Sequence, residues 1–95
     1  MTLVKYYSVK NGDLDLNINC IVAGSFLKDD LSVYPDDIKK HLNVLSKSSP
    51  MKKNTTVHDI AAAVEFLISD QATMINGQII SIDGGMTNIL QETLI

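Results

Sequence analysis

Residues 76–87 read NGQIISIDGGMT, and this stretch decides the fold. The run from Gln78 to Asp83 is short and rich in isoleucine, and glycine-containing turns flank it on both sides, which is the pattern of a buried β-strand. Its three isoleucines fall on both faces, because successive side chains of a strand point to opposite sides of the sheet. A strand that is apolar on both faces is typical of a parallel sheet with both faces covered.

A second apolar run lies upstream, at residues 19–24, and reads NCIVAG. We expect it to pair with the strand at 78–83. Two strands that are joined by a helical crossover in one sheet are almost always parallel, and the connection is right-handed. The sequence therefore predicts one parallel strand pair.

Two helices are predicted between these strands. Pro35, followed by two aspartates, suits the first turn of a helix that extends to Ser48. Thr56 and Asp59 have the spacing of a capping box, in which each side chain pairs with the backbone N–H of the other residue, and they open a second helix that ends at Ser69. The predicted order is strand, helix, helix, strand, with the second helix packed over the strand pair.

The first eighteen residues are predicted to form a β-hairpin. Asn11 and Gly12 suit a two-residue type I′ turn, because both tolerate positive φ. Pairing outward from that turn sets Lys10 opposite Asp13 and collects most apolar side chains on one face. The predicted fold class is α/β: a partial Rossmann-like unit in which an N-terminal hairpin precedes the strand-helix-helix-strand segment. The 95 residues form a single domain in this prediction.

The composition argues against several classes of function. All eight basic residues are lysines, against eleven acidic residues, and the net charge of −3 argues against nucleic-acid binding. Cys20 is the only cysteine, so an internal disulfide and a cysteine-based metal site are excluded. Neither His41 nor His58 has a partner at ligand spacing, and no metal site is predicted. With no apolar run long enough to span a membrane, we expect a cytoplasmic location.

Four motifs follow one another along the chain in a distinctive order. They are NCIVAG at 19–24, SPMKK at 49–53, AVEFLISD at 63–70 and NGQIISIDGGMT at 76–87. In this order and spacing they resemble the C-terminal part of the short-chain dehydrogenase/reductase family. The resemblance covers residues 19–87, leaving a hairpin-like segment at 1–18 and a tail at 88–95. The subgroups that it resembles most are the ketoacyl- and enoyl-carrier-protein reductases.

The resemblance implies a reductase that moves a hydride between NAD(P)(H) and a carbonyl or enoyl substrate. It implies that Gly24 and Phe26 line the cofactor, although Lys28 stands where relatives have a threonine. An alternative for Gly24 is that a strand-exit turn needs its positive φ. The sequence contains neither Gly-x-x-x-Gly-x-Gly nor Gly-x-Gly-x-x-Gly, the glycine-rich motifs that hold a pyrophosphate. We therefore expect the isolated chain to bind no cofactor.

Tyr6 and Lys10 have the Tyr-x-x-x-Lys spacing of the family's catalytic pair. On a helix they would share a face, whereas in the predicted hairpin they lie about 13 Å apart along a strand. The family also continues a long helix from that pair, and only eight residues separate Lys10 from Asn19. We therefore assign no catalytic residue, and leave open whether the pair is a remnant of the family dyad.

Two functions remain open at this point. The first is that of an NAD(P)-dependent oxidoreductase fragment, inactive as an isolated chain, whose partner supplies the N-terminal half. The alternative is a non-catalytic oligomerisation or interaction module derived from the same family, with a second copy of the chain as its partner. The first function requires another polypeptide that completes the sheet. The second requires exposed apolar surface that a partner chain can bury.

Overall fold

The computed structural model of the chain describes residues 2–24, 26–27 and 31–89, which contain three helices and four strands. The helices are α1 (Thr2–Lys10), α2 (Asp36–Ser48) and α3 (Val57–Leu67), and the strands are β1 (Cys20–Ala23), β2 (Phe26–Leu27), β3 (Thr55–Thr56) and β4 (Ile79–Ile82). Short 3₁₀ turns lie at Gly12–Leu14, Leu31–Val33, Asp70–Ala72 and Met86–Asn88. This mixed helix and strand order confirms the predicted α/β class.

The strand pair β1–β4 is parallel, as predicted. Its register runs from Cys20 opposite Ile79 to Ala23 opposite Ile82. Backbone hydrogen bonds extend the ladder at both ends, from Cys20 N to Gln78 O at 2.8 Å and from Gly24 N to Ile82 O at 3.2 Å. A second parallel pair, β2 with β3, follows directly beyond β1.

The predicted hairpin is wrong, because residues 2–10 form the helix α1. Asn11 N donates to Tyr7 O at 3.0 Å, which continues the helical hydrogen-bond pattern, and Gly12 begins a 3₁₀ turn instead of a type I′ turn. Asp15, at φ 57°, is the left-handed residue that ends this turn. The alternation of apolar residues did not mark a buried face: Leu3 is 70% exposed and Val9 is 84% exposed.

Contacts with the loop before β4 hold α1 in place. Ser8 is buried, and the amide of Asn76 donates to Ser8 O at 2.9 Å. A Cβ at Gly77 would lie 2.5 Å from Ser8 Oγ, so this close approach requires glycine, as does the φ of +74°. Because residue 8 meets residue 76, the conformation of the first segment depends on a contact that no local pattern reveals.

Asparagine side chains fix the amino ends of β1 and β4. Asn17 Nδ2 lies within hydrogen-bond distance of three carbonyl oxygens at the end of a 3₁₀ turn, those of residues 72, 73 and 75, at 2.8–3.2 Å. Asn19 Oδ1 accepts from Gln78 N at 3.0 Å, and Asn76 Oδ1 accepts from Ile18 N at 3.0 Å. These bonds satisfy backbone groups that the four-residue strands leave unpaired.

The two crossover helices begin where the sequence predicts. Pro35 is the N-cap of α2, and Ser49 N donates to Leu45 O at the end of that helix. Thr56 and Asp59 form the capping box of α3: Asp59 Oδ2 accepts from Thr56 N at 2.8 Å, and Thr56 Oγ1 accepts from Asp59 N at 3.3 Å. Hydrogen bonds from Thr56 hold the pKa of Asp59 below its ordinary value.

Apolar surface is poorly covered in the part of the chain that the structure describes. Ala72 is the only buried apolar residue there, and Ile68 is 80% exposed. The helix α3, which we expected to pack over the strand pair, borders a groove of 250 Å³ that is lined by Ile21 of β1 and by Val64 and Leu67 of α3. Hydrogen bonds from asparagine side chains at the ends of β1 and β4 therefore contribute to holding the strands in place.

Two further points concern the tail and the possibility of a membrane span. The predicted tail at 88–95 lies outside them beyond Ile89. Within residues 2–24, 26–27 and 31–89, no helix combines the length and the apolar character that crossing a membrane requires.

Replacing Thr56 by Ala removes the hydroxyl that accepts from Asp59 N, and we expect the free energy of unfolding to fall by about 1 kcal/mol. Urea unfolding of the full chain, followed by circular dichroism, measures this change. The matched control is Thr73→Ala, at an exposed position, which should change the free energy by less than about 0.5 kcal/mol. Equal effects of the two substitutions would contradict a stabilising capping box.

Candidate functional site

The carboxyl ends of β1 and β4 meet where Gly24 follows one strand and Asp83 follows the other. A Cβ at Gly24 would lie 3.2 Å from Asp83 Cβ, closer than a methyl group normally packs, and at an ordinary contact distance of 3.6 Å from Asp83 Cα. Gly24 does not have positive φ, unlike Gly77, Gly84 and Gly85. The expectation that a left-handed turn requires this glycine is therefore wrong, and close approach of the two strand ends is the reason for it.

Asp83 organises the turn that follows β4. Its carboxylate accepts from Gly85 N at 2.9 Å and from Thr87 N at 3.2 Å, around two glycines at φ 65° and 89°. Burial raises the pKa of Asp83, but hydrogen bonds from Gly85, Thr87 and Met86 outweigh it and hold the pKa below its ordinary value. A charged carboxylate therefore fixes the backbone beside Gly24.

A cavity of 190 Å³ opens next to this contact. Val22, Leu45 and Met86 give it apolar walls, and Ser49 and Lys53 are among its polar residues. Its position is the edge at which open parallel sheets bind ligands, outside the carboxyl ends of the strands. The strand ends thus build both a rigid corner and an adjoining space.

The two predicted cofactor residues lie at this edge. Gly24 directly follows β1, and the backbone of Phe26 pairs with Thr55 in the small second sheet. Gly24 N donates to Ile82 O, so the N–H of this residue is already engaged within the strand pair. Lys28, which replaces the threonine of relatives, lies outside the described residues.

Tyr6 and Lys10 lie far from this edge. They share a face of α1, and Lys10 Nζ lies 5.7 Å from the centroid of the Tyr6 ring, a cation–π arrangement. Ser8, between them, contacts the loop before β4, which places the pair at the amino end of the strands. The helix also ends at Lys10, whereas the family continues a long helix from its dyad. The geometry argues against a catalytic role for this pair.

Sequence reasoning missed two residues of the site. Asp83 followed by two glycines is a recognisable signal of a side-chain-capped turn, and this signal could have given Asp83 its role. Ser49 is only 3% exposed, but as part of Ser-Ser-Pro it indicated nothing more than a helix end. In the described ranges, no three His, Cys, Asp or Glu side chains are grouped as metal ligands.

The lowered pKa of Asp83 predicts a pH-dependent contribution to stability. The contribution is complete above the ordinary value of 3.8 and is lost as pH falls through the lower pKa of the folded state. Asp83→Asn should therefore unfold at lower urea than the unmodified chain at pH 6, and the difference should shrink toward pH 3. An undiminished difference at pH 3 would contradict this, and Asp13→Asn, at an exposed carboxylate, serves as the control.

Known proteins resemble this chain in sequence over most of its length. A family model described as Enoyl-(Acyl carrier protein) reductase matches residues 1–87, so the match includes the first eighteen residues. The chain is 35% identical over 82 residues to the 3-oxoacyl-acyl-carrier-protein reductase FabG of Chlamydia muridarum. That alignment covers 86% of this chain and 32% of the relative.

Solved structures show the same partial correspondence. The chain matches ElxO with NADP bound at a TM-score of 0.78 and 29% identity, covering 92% of this chain and 35% of ElxO. It matches levodione reductase at a TM-score of 0.77 and 27% identity, covering 90% and 35%. The chain thus spans about a third of the length of its relatives. On the family model and these matches, the chain belongs to the short-chain dehydrogenase/reductase family.

Proposed function

We propose that this chain is the cofactor-lining C-terminal part of an NAD(P)-dependent oxidoreductase that acts on a carbonyl or enoyl substrate. The observation that carries the proposal is the position of Gly24 and Phe26 at the carboxyl edge of the parallel pair. The match to ElxO, a structure with NADP bound, and to a 3-oxoacyl reductase supports the cofactor and the substrate class. The cofactor supplies the hydride, and the chain contributes a wall beside it.

The chain alone lacks the means to hold a dinucleotide. A pyrophosphate is bound by backbone N–H groups of a glycine-rich turn at a helix N-terminus, and the sequence contains no such turn. At Gly24 the N–H is already donated to Ile82 O. Hydride transfer therefore requires a further polypeptide segment, which supplies the pyrophosphate site and the group that protonates the product oxygen.

The open edge of β1 is where that segment attaches in our proposal. The N–H groups of Cys20 and Gly24 point to β4, so the alternate peptide groups at Ile21 and Ala23 point to the other side. No strand pairs with that side in the part of the chain that the structure describes. The strand is apolar throughout, whereas natural edge strands carry lysine or proline. A parallel strand from the N-terminal half of a reductase fits this edge.

We expect the isolated chain to show no saturable binding of NADH or NADPH at micromolar concentrations. The measurement is nicotinamide fluorescence during titration, with the intact FabG relative as the positive control. Micromolar binding by the chain alone would overturn the requirement for a second segment.

In a second experiment, the titration is repeated after adding the separately expressed N-terminal part of the FabG relative. The amide shifts that NADPH then causes should concentrate at Gly24 and Phe26, and not at Tyr6 and Lys10. The reverse pattern would contradict the proposed cofactor edge.

A non-catalytic homo-oligomerisation module is the second candidate function. It is favoured by exposed apolar residues on and after α3, namely Val64 at 43%, Phe66 at 46% and Ile68 at 80% exposure. Surfaces of this kind commonly mark sites of association, and a symmetric dimer covers them with a second copy. In either function we propose that the chain works in the cytoplasm.

If α3 mediates self-association, Ile68→Lys should shift the chain from dimer toward monomer at micromolar concentration. Sedimentation velocity measures this shift. The matched control is Met74→Lys, because Met74 is 92% exposed and lies beyond the 3₁₀ turn that follows α3 and Ile68. A monomeric unmodified chain, or an equal effect of both substitutions, would count against the module.

A further inference from the structure

The hydroxyl of Ser49 is buried and unpaired. The residue is 3% exposed, and its Oγ has no hydrogen-bond partner. Its backbone is satisfied, because Ser49 N donates to Leu45 O at 3.1 Å and Ser49 O accepts from Lys52 N at 2.9 Å. Buried hydroxyls are nearly always paired, so this exception indicates a missing partner.

Ser49 borders the 190 Å³ cavity at the carboxyl edge of the strands, which we call the Ser49 cavity. An apolar cavity of about 150 Å³ in a protein core holds a benzene molecule, so this space admits a ring that carries a polar substituent. Val22, Leu45 and Met86 provide apolar contact on three sides. Volume and lining therefore fit a compact, mainly apolar molecule.

Three other polar side chains around the Ser49 cavity are already engaged. Thr55 Oγ1 donates to Ile82 O at 3.3 Å, and Asn54 Nδ2 donates to Leu42 O at 3.0 Å. The Asp83 carboxylate accepts from the backbone of the turn after β4. Among the residues that the structure describes, one cation, Lys53, and one anion, Asp83, line the space, so their charges balance. This balance favours a neutral ligand over an ion.

We propose that the Ser49 cavity binds a compact neutral molecule whose hydroxyl or carbonyl oxygen pairs with the Ser49 hydroxyl. At present Ser49 Oγ lies beside Gly84, where an added Cβ would be 3.2 Å away. Binding in this proposal involves a change of χ1 to another staggered rotamer, by which the hydroxyl leaves Gly84 and pairs with the ligand. The site shares Gly24 as a wall with the proposed cofactor edge, but it requires neither a cofactor nor a second polypeptide.

The test compares three probes of similar size by amide shifts of the full chain: phenol, cyclohexanone and benzene. We expect saturable shifts at Val22 and Met86, with phenol and cyclohexanone binding about five-fold more tightly than benzene, since only they offer oxygen to Ser49. Ser49→Ala should abolish this preference and leave benzene affinity within about two-fold. Ser48→Ala is the matched control, because the exposed Ser48 hydroxyl already donates to Val44 O at 3.0 Å.

Three results would overturn the proposal. They are an absence of saturable shifts at the cavity with every probe, a preference for oxygen that survives in Ser49→Ala, and equal losses in Ser48→Ala and Ser49→Ala. If Ser49→Ala does not fold, Leu45→Phe replaces it, because the larger ring fills the space and should abolish binding of all three probes. Unchanged binding in Leu45→Phe would place the probes elsewhere and refute the site. A preference for only one of the two oxygen probes that is lost in Ser49→Ala would still support the site, and would identify its ligand as a hydroxyl or as a carbonyl compound.

Discussion

The parallel pairing of β1 with β4 is the constraint on which the rest of the structure depends. It joins residues 20–23 to residues 79–82, and parallel strands can be connected only by a crossover that returns the chain to the same end of the sheet. Helices α2 and α3 lie in that connection. The register is held at one end by asparagine side chains and at the other by the close approach of Gly24 to Asp83. The contact between Gly24 and Asp83 therefore positions the two strand ends that border the candidate site.

Strong polar contacts coexist with little apolar burial. Ala72 is the one buried apolar residue among those described, although β1 consists entirely of apolar residues. Since apolar burial is the main favourable term in folding, a unit of this kind gains stability when another surface covers it. The proposed cofactor edge is incomplete in the same way, since the sequence contains no glycine-rich turn for a pyrophosphate. Completion of the sheet and completion of the site are thus one event in the proposed oxidoreductase.

Local signals predicted the elements whose ends are set by neighbouring residues. Pro35 before α2, the Thr56–Asp59 capping box and the isoleucine-rich β4 all belong to this class. The prediction of a hairpin was wrong because Asn11-Gly12 and a short alternation of apolar residues are weak local evidence. The contact that holds the first segment joins Asn76 to Ser8, which are 68 residues apart in sequence. Ser49 was unpredictable for the same reason, since its burial depends on Gly84 and other distant residues.

Gly24 shows why a matched motif position is not by itself evidence of a ligand. The contact with Asp83 favours glycine at this position whether or not a cofactor binds, because a Cβ there would lie 3.2 Å from Asp83 Cβ and the strand end would have to shift slightly. Its N–H is bonded to Ile82 O and is therefore not available to a ligand. What supports a cofactor role is location, since Gly24 and Phe26 share the carboxyl edge while Tyr6 and Lys10 lie at the opposite end. The packing constraint is present in either case, so a ligand titration is needed to test the proposed binding role of Gly24.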